Sequence, residues 1–444
     1  MALELKKKRV TVYGMGKSGL SALQFLLEHE ADVWAVSKGA PATWPDYQKI
    51  SAWIGPDKCL EEDFASNLMA ESELIVLSPG IPRQHPILQR AHRRGIPLWS
   101  EIELASRFIN IPILAVTGSN GKTTTVTLLS EMLTETGHDV FVGGNIGTPL
   151  CDFVLKPQKV DYILLELSSF QLESIEEFHP HLAIILNVFS NHGERYNTVN
   201  EYTAAKFNIT KNMGENDHLI YRQDPQLNFW TQDLKCQKYP INTTQVEAMR
   251  AEMENFFKLE KFKLPGTHNL TNLYFSFLVF KILKLKMIGI QKVVDSFNGV
   301  SYRMQKISGD YPFIPFNDAK STNWDATMTA IRSLQIEKKG RPLFVIIGGQ
   351  PRGRGDSLGP HLAELASLVD KVLLIGETTE ELAGLLVGKI PYQRCYTLAD
   401  ALKHVYSLDF NGALLFSPGL PSFDQYENYQ KRGESFNQLL KTIS

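Results

Sequence analysis

The pattern that most limits the possible folds of this chain is an alternation of short apolar strands with amphipathic helical stretches, repeated in three segments. The first segment contains the strand-like runs RVTVYG, ADVWAV, ELIVLSPG and IPLWS. The second contains PILAVTG, HDVFVG, YILLELSS and HLAIILNVF, then a polar stretch over 223–262, which we expect to carry smaller strands, and the helical run HNLTNLYFSFLVFKILKLK. The third contains PLFVIIGG, KVLLIGE and GALLFSPG. This alternation is typical of parallel sheets with helices packed on their faces.

The three segments predict three α/β domains, and a length of 444 residues suits that number. We place the domains at 1–107, 108–301 and 302–444. The first and third are predicted to be Rossmann-like, and the central one to be a mononucleotide-binding domain of the P-loop type. The stretch FNGVSYRMQKISGDYP, punctuated by Gly and Pro, is the predicted linker between the last two.

Composition and charge argue against several classes of protein. The formal net charge of -2 gives no reason to expect nucleic acid or an anionic membrane as a partner. No apolar run approaches the roughly 18 residues that span a bilayer, and the start MALELKKKRVTVYGMG has no signal-peptide core. Four scattered cysteines, Cys59, Cys151, Cys236 and Cys395, lack metal-ligand spacing and disulfide density. These features predict a cytoplasmic protein with reduced thiols.

The first of two glycine-rich turns reads Gly14-x-Gly16-x-x-Gly19, between a strand and a helix, as a dinucleotide-binding fingerprint requires. A NAD site would also have an acidic residue at the end of the next strand, where Ser37 and Lys38 stand instead. Lys38 suits a phosphate better than a bare ribose. The turn alone therefore favours a site for a nucleotide-like anion. Two other interpretations stay open: a NAD site, and glycines that serve only the close packing of the strand against the helix.

The second turn, TGSNGKTT, follows the strand PILAVTG and opens a helix. Consecutive backbone N–H groups at a helix N-terminus bind anions, and Lys122 supplies a charge for the β- and γ-phosphates. Thr123 supplies a hydroxyl for Mg²⁺. The turn is not a full Walker A motif, because the first glycine of that motif would fall at Val116. We predict that this second turn binds ATP.

TGSNGKTT, GGNIG, ELSSFQLE and HNLTN occur in the order that they have in the Mur ligase family, which this chain resembles over essentially its whole length. ELSSFQLE, SPGIP and the tail SPGLPSFDQYENYQKRGESF resemble the D-glutamate-adding branch in particular. The resemblance implies an ATP-dependent ligase of peptidoglycan synthesis. Such an enzyme phosphorylates the carboxylate of UDP-N-acetylmuramoyl-L-alanine, and the amine of D-glutamate attacks the acyl phosphate to give a tetrahedral intermediate. It implies small-molecule substrates and, we expect, a cytoplasmic monomer.

The same resemblance implies roles for individual residues. ATP would be bound by Gly118, Ser119, Asn120, Gly121, Lys122, Thr123, Thr124, Asn269, Asn272, Arg303 and Asp318. Two Mg²⁺ ions would be held by Thr123, Glu166, His192 and Lys206, of which Lys206 matches a lysine that the family carbamylates. The UDP-sugar would be bound by Gly14, Gly16, Lys17, Ser18, Gly19, Ser37, Lys38, Asn145 and Ser168. D-Glutamate would be bound by Lys320, Thr322, Arg352, Ser422 and Tyr429. The catalytic set would be Lys122, His192, Lys206 and Lys320.

Third-domain residues reach ATP only if the domains close, so we expect a hinge between about Asn298 and Gly309.

The residues alone leave several assignments open: a lone histidine such as His192 is more often structural than a ligand, and Asn145 suits a turn between glycines equally well. Lys206, without the family, is one lysine on a helix.

The sequence also departs from the family pattern. Asn191 and Gln305 stand where acidic residues are usual, Gly193 and Glu194 replace the usual residues around the metal histidine, and the tail SPGLPS replaces SPACAS. These departures keep two alternatives open, a ligase for another acidic amino acid and a weakly catalytic nucleotide-binding paralogue. The first glycine-rich turn keeps a third open, an oxidoreductase that binds its cofactor there. The missing acidic residue after the second strand argues against the oxidoreductase.

Overall fold

The computed structural model describes residues 4–443, except 190–191, 194, 265, 338–339 and 352–356. The strands in these ranges are β1 Arg9–Tyr13, β2 Asp32–Ser37, β3 Cys59–Glu61, β4 Leu74–Leu77, β5 Leu98–Ser100, β6 Ile113–Thr117, β7 Val140–Gly144, β8 Tyr162–Glu166, β9 Leu182–Ile185, β10 His218–Arg222, β11 Gln237–Ile241, β12 Gln305–Lys306, β13 Ile314–Asn317, β14 Leu343–Gly348, β15 Lys371–Ile375, β16 Tyr392–Tyr396 and β17 Ala413–Phe416.

The α-helices alternate with these strands along the chain. They are α1 Lys17–Glu28, α2 Tyr47–Ile54, α3 Ser66–Glu71, α4 Gln89–Arg93, α5 Glu101–Ser106, α6 Lys122–Glu135, α7 Leu150–Leu155, α8 Ser169–Leu172, α9 Val199–Phe207, α10 Pro225–Thr231, α11 Val246–Glu254, α12 Thr267–Ile282, α13 Ile290–Ser296, α14 Trp324–Glu337, α15 Leu362–Leu368, α16 Thr379–Leu386, α17 Leu398–Tyr406 and α18 Tyr429–Thr442. Within the described ranges, no helix combines the length and the apolar character needed to cross a membrane.

The strands form three sheets with the orders β3-β2-β1-β4-β5, β11-β10-β9-β6-β8-β7 and β12-β13-β17-β14-β15-β16. The pairings are parallel, apart from the antiparallel β12–β13 pair. The predicted α/β class with parallel sheets is therefore confirmed. The strands β3, β10, β12, β13 and β16 were not predicted from the sequence.

Strand order places both glycine-rich turns where a ligand is expected. β1 has β2 on one side and β4 on the other, and β6 likewise lies between β8 and β9. The strand order therefore reverses at β1 and at β6, and the crevice at the carboxyl ends of such strands is the usual ligand position in open parallel sheets. The first turn follows β1 and the second follows β6.

The third sheet shows why its strands read as continuous apolar runs. Val345 and Ile347 of β14 pack in one core with α14, whereas the intervening Ile346 packs on the other face with α17 and α18. Successive strand side chains point to opposite faces, so a sheet covered on both faces needs apolar residues at every position.

The chain divides into two compact units. One comprises Met1–Val188, Asn200–Gln245 and Phe275–Ile290, and contains the first two sheets. The other comprises Phe189–Val199, Val246–Tyr274 and Gln291–Ser444, and contains the third sheet. The domain boundaries at 107 and 301 stay a prediction.

Within the first unit, a buried carboxylate ties α5 to the segment that precedes β9. Glu103 is fully buried, and its carboxylate accepts the backbone N–H groups of Glu176, Glu177 and Phe178 at 2.8–3.0 Å. The Arg107 guanidinium donates to the same carboxylate at 2.7 Å. These charge-assisted bonds compensate the burial of the Glu103 charge.

Glu101, two residues earlier, is a second buried carboxyl group, and its environment predicts a pH effect on stability. Its Oε1 accepts the N–H of Cys151 at 2.6 Å, and burial raises its pKa to about 7. Because the pKa is higher in the folded state, folding favours the protonated Glu101 carboxyl group. The stability that this group contributes to the folded state is therefore complete below about pH 4.5 and is lost as the pH rises through about 7. Relative to the unmodified protein, Glu101→Gln should therefore stabilise the first unit more at pH 8 than at pH 5, and the difference in the free energy of unfolding should be about 3 kcal/mol at most.

Urea unfolding followed by tryptophan fluorescence suits this test, because Trp34, Trp44, Trp53, Trp99 and Trp230 all lie in the first unit. The control is Glu28→Gln, which alters an exposed carboxylate on α1. An equal effect of Glu101→Gln at pH 5 and at pH 8 would contradict the assignment of a raised pKa.

Candidate active site

The second glycine-rich turn joins β6 to α6. Its Gly118 and Gly121 have φ of +155° and +87°, a region that L side chains rarely adopt. Gly121 is the N-cap of α6, a helix of 14 residues. The turn therefore directs backbone N–H groups and the positive end of a helix dipole towards the carboxyl edge of the sheet, which is the arrangement that binds phosphate.

Lys122 and Asn187 both contact the backbone of this turn. The Lys122 ammonium donates to the carbonyls of Gly118 and Ser119 at 2.7 and 3.0 Å. Asn187, just beyond β9, accepts the N–H of Asn120 at 2.9 Å through its side chain and the N–H of Ser119 at 2.9 Å through its carbonyl. Asn187 was not predicted from the sequence, although its place as a polar residue two positions after the buried strand β9 was a signal for it.

Glu166 is buried beside the start of α6. Its carboxylate accepts the Thr123 hydroxyl at 2.7 Å and the Asn145 amide at 2.8 Å, and it is only 1% exposed. A Cβ added at Gly144 would lie 2.3 Å from the Glu166 carbonyl oxygen, so only glycine allows this approach of β7 to β8. The structure thus places a carboxylate and a hydroxyl, which are hard oxygen ligands, next to the phosphate-binding turn.

Lys206 of α9 is a fully buried lysine, 1% exposed, at the same turn. Its ammonium donates to the Gly118 carbonyl at 2.9 Å and lies 4.5 Å from the centre of the Tyr202 ring. Burial lowers its pKa to about 7, although the Glu166 charge acts in the opposite direction. At neutral pH a large fraction of this lysine is therefore a neutral amine, the form that reacts with electrophiles.

In the first glycine-rich turn, two of the three glycines are required by packing. A Cβ at Gly14 would lie 2.7 Å from Ser78 Cβ, and one at Gly19 would lie 1.9 Å from the Gly14 carbonyl oxygen. A Cβ at Gly16 would meet nothing within 4 Å, so that position faces open space, as a ligand-facing glycine must. Lys17 donates to the carbonyl of Gly147, 2.6 Å away, and thus connects this turn to the GGNIG segment.

The remaining UDP-sugar candidates lie at the carboxyl edges of the same two sheets. Ser37 ends β2, and Lys38 follows it as an exposed residue. Ser18 lies in the first turn of α1. Ser168 is the N-cap of α8, where its hydroxyl accepts the N–H of Gln171 at 3.3 Å in a capping box.

In the second unit, the candidate residues follow β13. Asp318 is 4% exposed, and its carboxylate accepts the hydroxyls of Ser321 and Ser417 at 2.5 and 2.8 Å and the N–H of Met304 at 3.1 Å. Burial raises its pKa to about 6, while these bonds and the charge of Arg303 act in the opposite direction. Asp318 is therefore held rigidly at the end of the strand.

Lys320 lies close to Tyr429, with its ammonium 5.1 Å from the centre of the tyrosine ring. The other candidates in this unit are Asn269 and Asn272, both buried on α12, the part-buried Thr322, the buried Ser422, and His192, which has φ of +59°. Arg352, Asn191 and Glu194 lie outside the described residues.

Family models identify two parts of the chain. Residues 116–280 match the Mur ligase middle domain, and residues 8–100 match the Mur ligase MurD-like N-terminal domain. The chain is also 31% identical to UDP-N-acetylmuramoylalanine–D-glutamate ligase of Salinibacter ruber, with 99% of both chains covered. The chain belongs to the Mur ligase family. The resemblance predicted from TGSNGKTT and ELSSFQLE is thereby confirmed, as is the prediction of an ATP-dependent ligase.

Other relatives of this Mur ligase agree. A protein of the same name from Caldicellulosiruptor bescii is 32% identical, over 99% of this chain and all of the relative. Among solved structures, a MurF ligase from Thermotoga maritima in complex with ADP matches 99% of this chain and 97% of its own, with a TM-score of 0.59 and 16% identity. The UDP-N-acetylmuramate–alanine ligase MurC of the same organism matches 98% of this chain and all of its own, with a TM-score of 0.57 and 16% identity. These structures support the shared fold.

The structure of this Mur ligase reveals a further residue at the third sheet that the sequence did not point to. Arg432 of α18 is 1% exposed, and its guanidinium donates to the carbonyls of Ala319, Leu420 and Pro421 at 2.9–3.1 Å. Ala319 immediately precedes Lys320, and Pro421 immediately precedes Ser422. Arg432 therefore fixes the two loops that carry these candidates relative to each other.

Proposed function

We propose that this Mur ligase uses ATP to join D-glutamate to UDP-N-acetylmuramoyl-L-alanine, through an acyl phosphate and a tetrahedral intermediate. The observation that carries the proposal is the buried contact of Glu166 with Thr123 at the phosphate-binding turn, beside Lys122 and Lys206. The names of relatives that match over their whole length support the choice of substrates. The four cysteines are buried free thiols, which supports our proposal of a cytoplasmic enzyme, and we propose that it acts as a monomer.

On the ATP side, the proposed role of the turn is to offset charge. A γ-phosphate and the attacking carboxylate are both anionic and repel each other. The backbone N–H groups from Gly118 to Thr124 would hold the phosphates, and the Lys122 ammonium, now on two loop carbonyls, would move onto the transferred phosphoryl group. Asn269, Asn272, Arg303 and Asp318 would hold the nucleoside.

The oxygen-rich surroundings of Glu166 suit Mg²⁺, since this ion prefers carboxylate and hydroxyl ligands. We propose that Thr123, Glu166, His192 and a carbamylated Lys206 hold two such ions, which would neutralise the phosphate and acyl oxygens. Carbamylation needs a neutral amine, and the burial of Lys206, with its pKa lowered to about 7, supports that form.

The UDP-sugar is proposed to bind at the first glycine-rich turn, whose open position at Gly16 supports close approach of a diphosphate. Lys17, Ser18, Ser37 and Lys38 would contact its nucleotide end, together with Gly14 and Gly19 of the turn. Asn145 and Ser168 would line the sugar and peptide end. Asn145 already donates to Glu166, so the same residue would connect this substrate to the phosphate-binding turn.

The amino acid is proposed to bind at the carboxyl edge of the third sheet. Lys320 and Arg352 would pair with the two carboxylates of D-glutamate, and charge-assisted bonds of this kind discriminate strongly between ligands. Thr322, Ser422 and Tyr429 would add hydroxyl contacts. The proximity of Lys320 to Tyr429 supports a shared site.

Arg432 is then a positioning residue for the amino acid. Arg432→Lys should raise the KM for D-glutamate by about tenfold or more while the KM for ATP changes little, because one ammonium cannot reproduce the three-carbonyl arrangement. Steady-state kinetics with each substrate varied in turn measure this split. Equal changes in both KM values would indicate general disruption of the unit instead.

The proposed function is tested by measuring phosphate release from ATP with UDP-N-acetylmuramoyl-L-alanine present and D-glutamate, L-glutamate or D-aspartate added in turn. We expect release only with both the UDP-sugar and D-glutamate. Release with D-aspartate alone would change the amino acid but keep the reaction. No release with any amino acid, alongside measurable UDP-sugar binding, would overturn the ligase assignment in favour of a binding paralogue.

A further inference from the structure

A small basic pocket lies between α3 and α4, away from both glycine-rich turns. It has a volume of about 270 Å³ and is lined by Asn67, Ala70, Glu71, Arg90, Arg93 and Arg94. α3 ends at Glu71, shortly before β4 begins, and α4 ends at Arg93, shortly before β5 begins. The pocket is therefore at the amino edge of the first sheet, whereas the turn at Gly14 follows β1 at the carboxyl edge.

The charges around this pocket are unbalanced. Arg90 donates to the Asn67 amide oxygen, which is a neutral partner. Within the described part of the chain, Arg93 and Arg94 form no ion pair and donate no side-chain hydrogen bond, and both are exposed. Glu71 is the only acidic residue of the lining, and Arg9 pairs with it at 3.1 Å. Three guanidinium groups thus border one concavity with little opposing charge.

We propose that this arginine pocket binds a small phosphorylated anion, with a phosphate or diphosphate group as the recognised part. One guanidinium group can bind two oxygens of the same phosphate through two parallel hydrogen bonds. Three such groups around one concavity carry more positive charge than a ligand with a single carboxylate would require, so a phosphate or diphosphate is the better match. A volume of about 270 Å³ is just below the usual range for drug-sized ligands, so it suits a diphosphate better than a whole nucleotide. Its concave shape also favours a small anion over a flat lipid surface.

The test is isothermal titration with inorganic pyrophosphate at about 0.15 M ionic strength. It uses the full-length chain in a Lys122→Ala background, which weakens binding at the ATP turn. Adding Arg93→Gln and Arg94→Gln should remove one binding site or weaken it at least tenfold. Adding Lys156→Gln and Lys159→Gln, which removes the same charge at two exposed lysines, should leave binding unchanged.

Equal pyrophosphate binding by the two double variants would overturn the proposal, because the arginines would then contribute no specific site. The same titrations with vesicles of phosphatidylserine and phosphatidylcholine separate the two sources of phosphate. If only vesicle binding depends on Arg93 and Arg94, the pocket is a lipid contact and the small-anion proposal is wrong. Thermal unfolding of each variant verifies that the first unit stays folded.

Discussion

Lys122→Ala is expected to lower ATP turnover by at least about 10²–10³-fold, the cost of removing one preorganised charge from a transition state. The Lys122 ammonium already lies at the phosphate-binding turn, where it donates to the carbonyls of Gly118 and Ser119. The measurement is phosphate release with both substrates saturating. UDP-sugar binding, measured separately, should stay within a few-fold of the unmodified protein.

The matched control is Lys156→Ala, which removes an exposed lysine from the same unit. It should retain full turnover. Because Lys122 also bonds to the turn, thermal unfolding of the Lys122→Ala protein is needed to show that the turn and its helix remain intact. If the turnover of Lys122→Ala stays within a few-fold of that of the unmodified enzyme, the assignment of ATP binding to the second glycine-rich turn is wrong.

Lys206→Ala should reduce turnover by about 100-fold or more, and added formate, acetate or propionate should restore part of it. The physical reason is that a carbamylated lysine presents a carboxylate-like group, and a free short carboxylate can occupy the space left by the deleted side chain. The measurement is phosphate release across a wide range of carboxylate concentrations, at constant ionic strength.

Two comparisons make the Lys206 result interpretable. Lys211→Ala removes an exposed lysine shortly after the same helix, so its turnover should not depend on added carboxylate. Lys206→Arg keeps a cation but cannot form the carbamate, and it should be as inactive as Lys206→Ala. Absence of rescue at every concentration would argue against the carbamate, whereas an active Lys206→Arg enzyme would show that only the positive charge is needed.

The fold was predictable wherever the sequence had a strong, local pattern. β6, β8 and β9 are each apolar over four consecutive residues, because they lie in the middle of a sheet covered on both faces. β3 and β16 were missed because they are edge strands: β3 has three residues, and β16 reads YQRCY, with polar side chains at exposed positions. β13 reads IPFN, and its proline obscures the strand pattern.

The candidate site divides in the same way. The turn with Lys122 and Thr123 was visible in the sequence, because a glycine-rich turn before a helix has a fixed spacing. Asn187 was marked only by its place shortly after the buried strand β9, and nothing local marked Arg432, because each residue acts by hydrogen bonding to backbone groups far away in the chain.

The sequence by itself determined the parallel α/β class, the two glycine-rich turns and membership of the Mur ligase family, since these follow from local periodicity and short motifs. Only the tertiary structure decided that Glu166 contacts Thr123, that Lys206 is buried with a pKa lowered to about 7, and that three arginines border one pocket. The burial of a side chain and its electrostatic interactions depend on which distant segments of the chain come into contact. In a parallel sheet, the crossover connections bring those segments together only when the chain is folded.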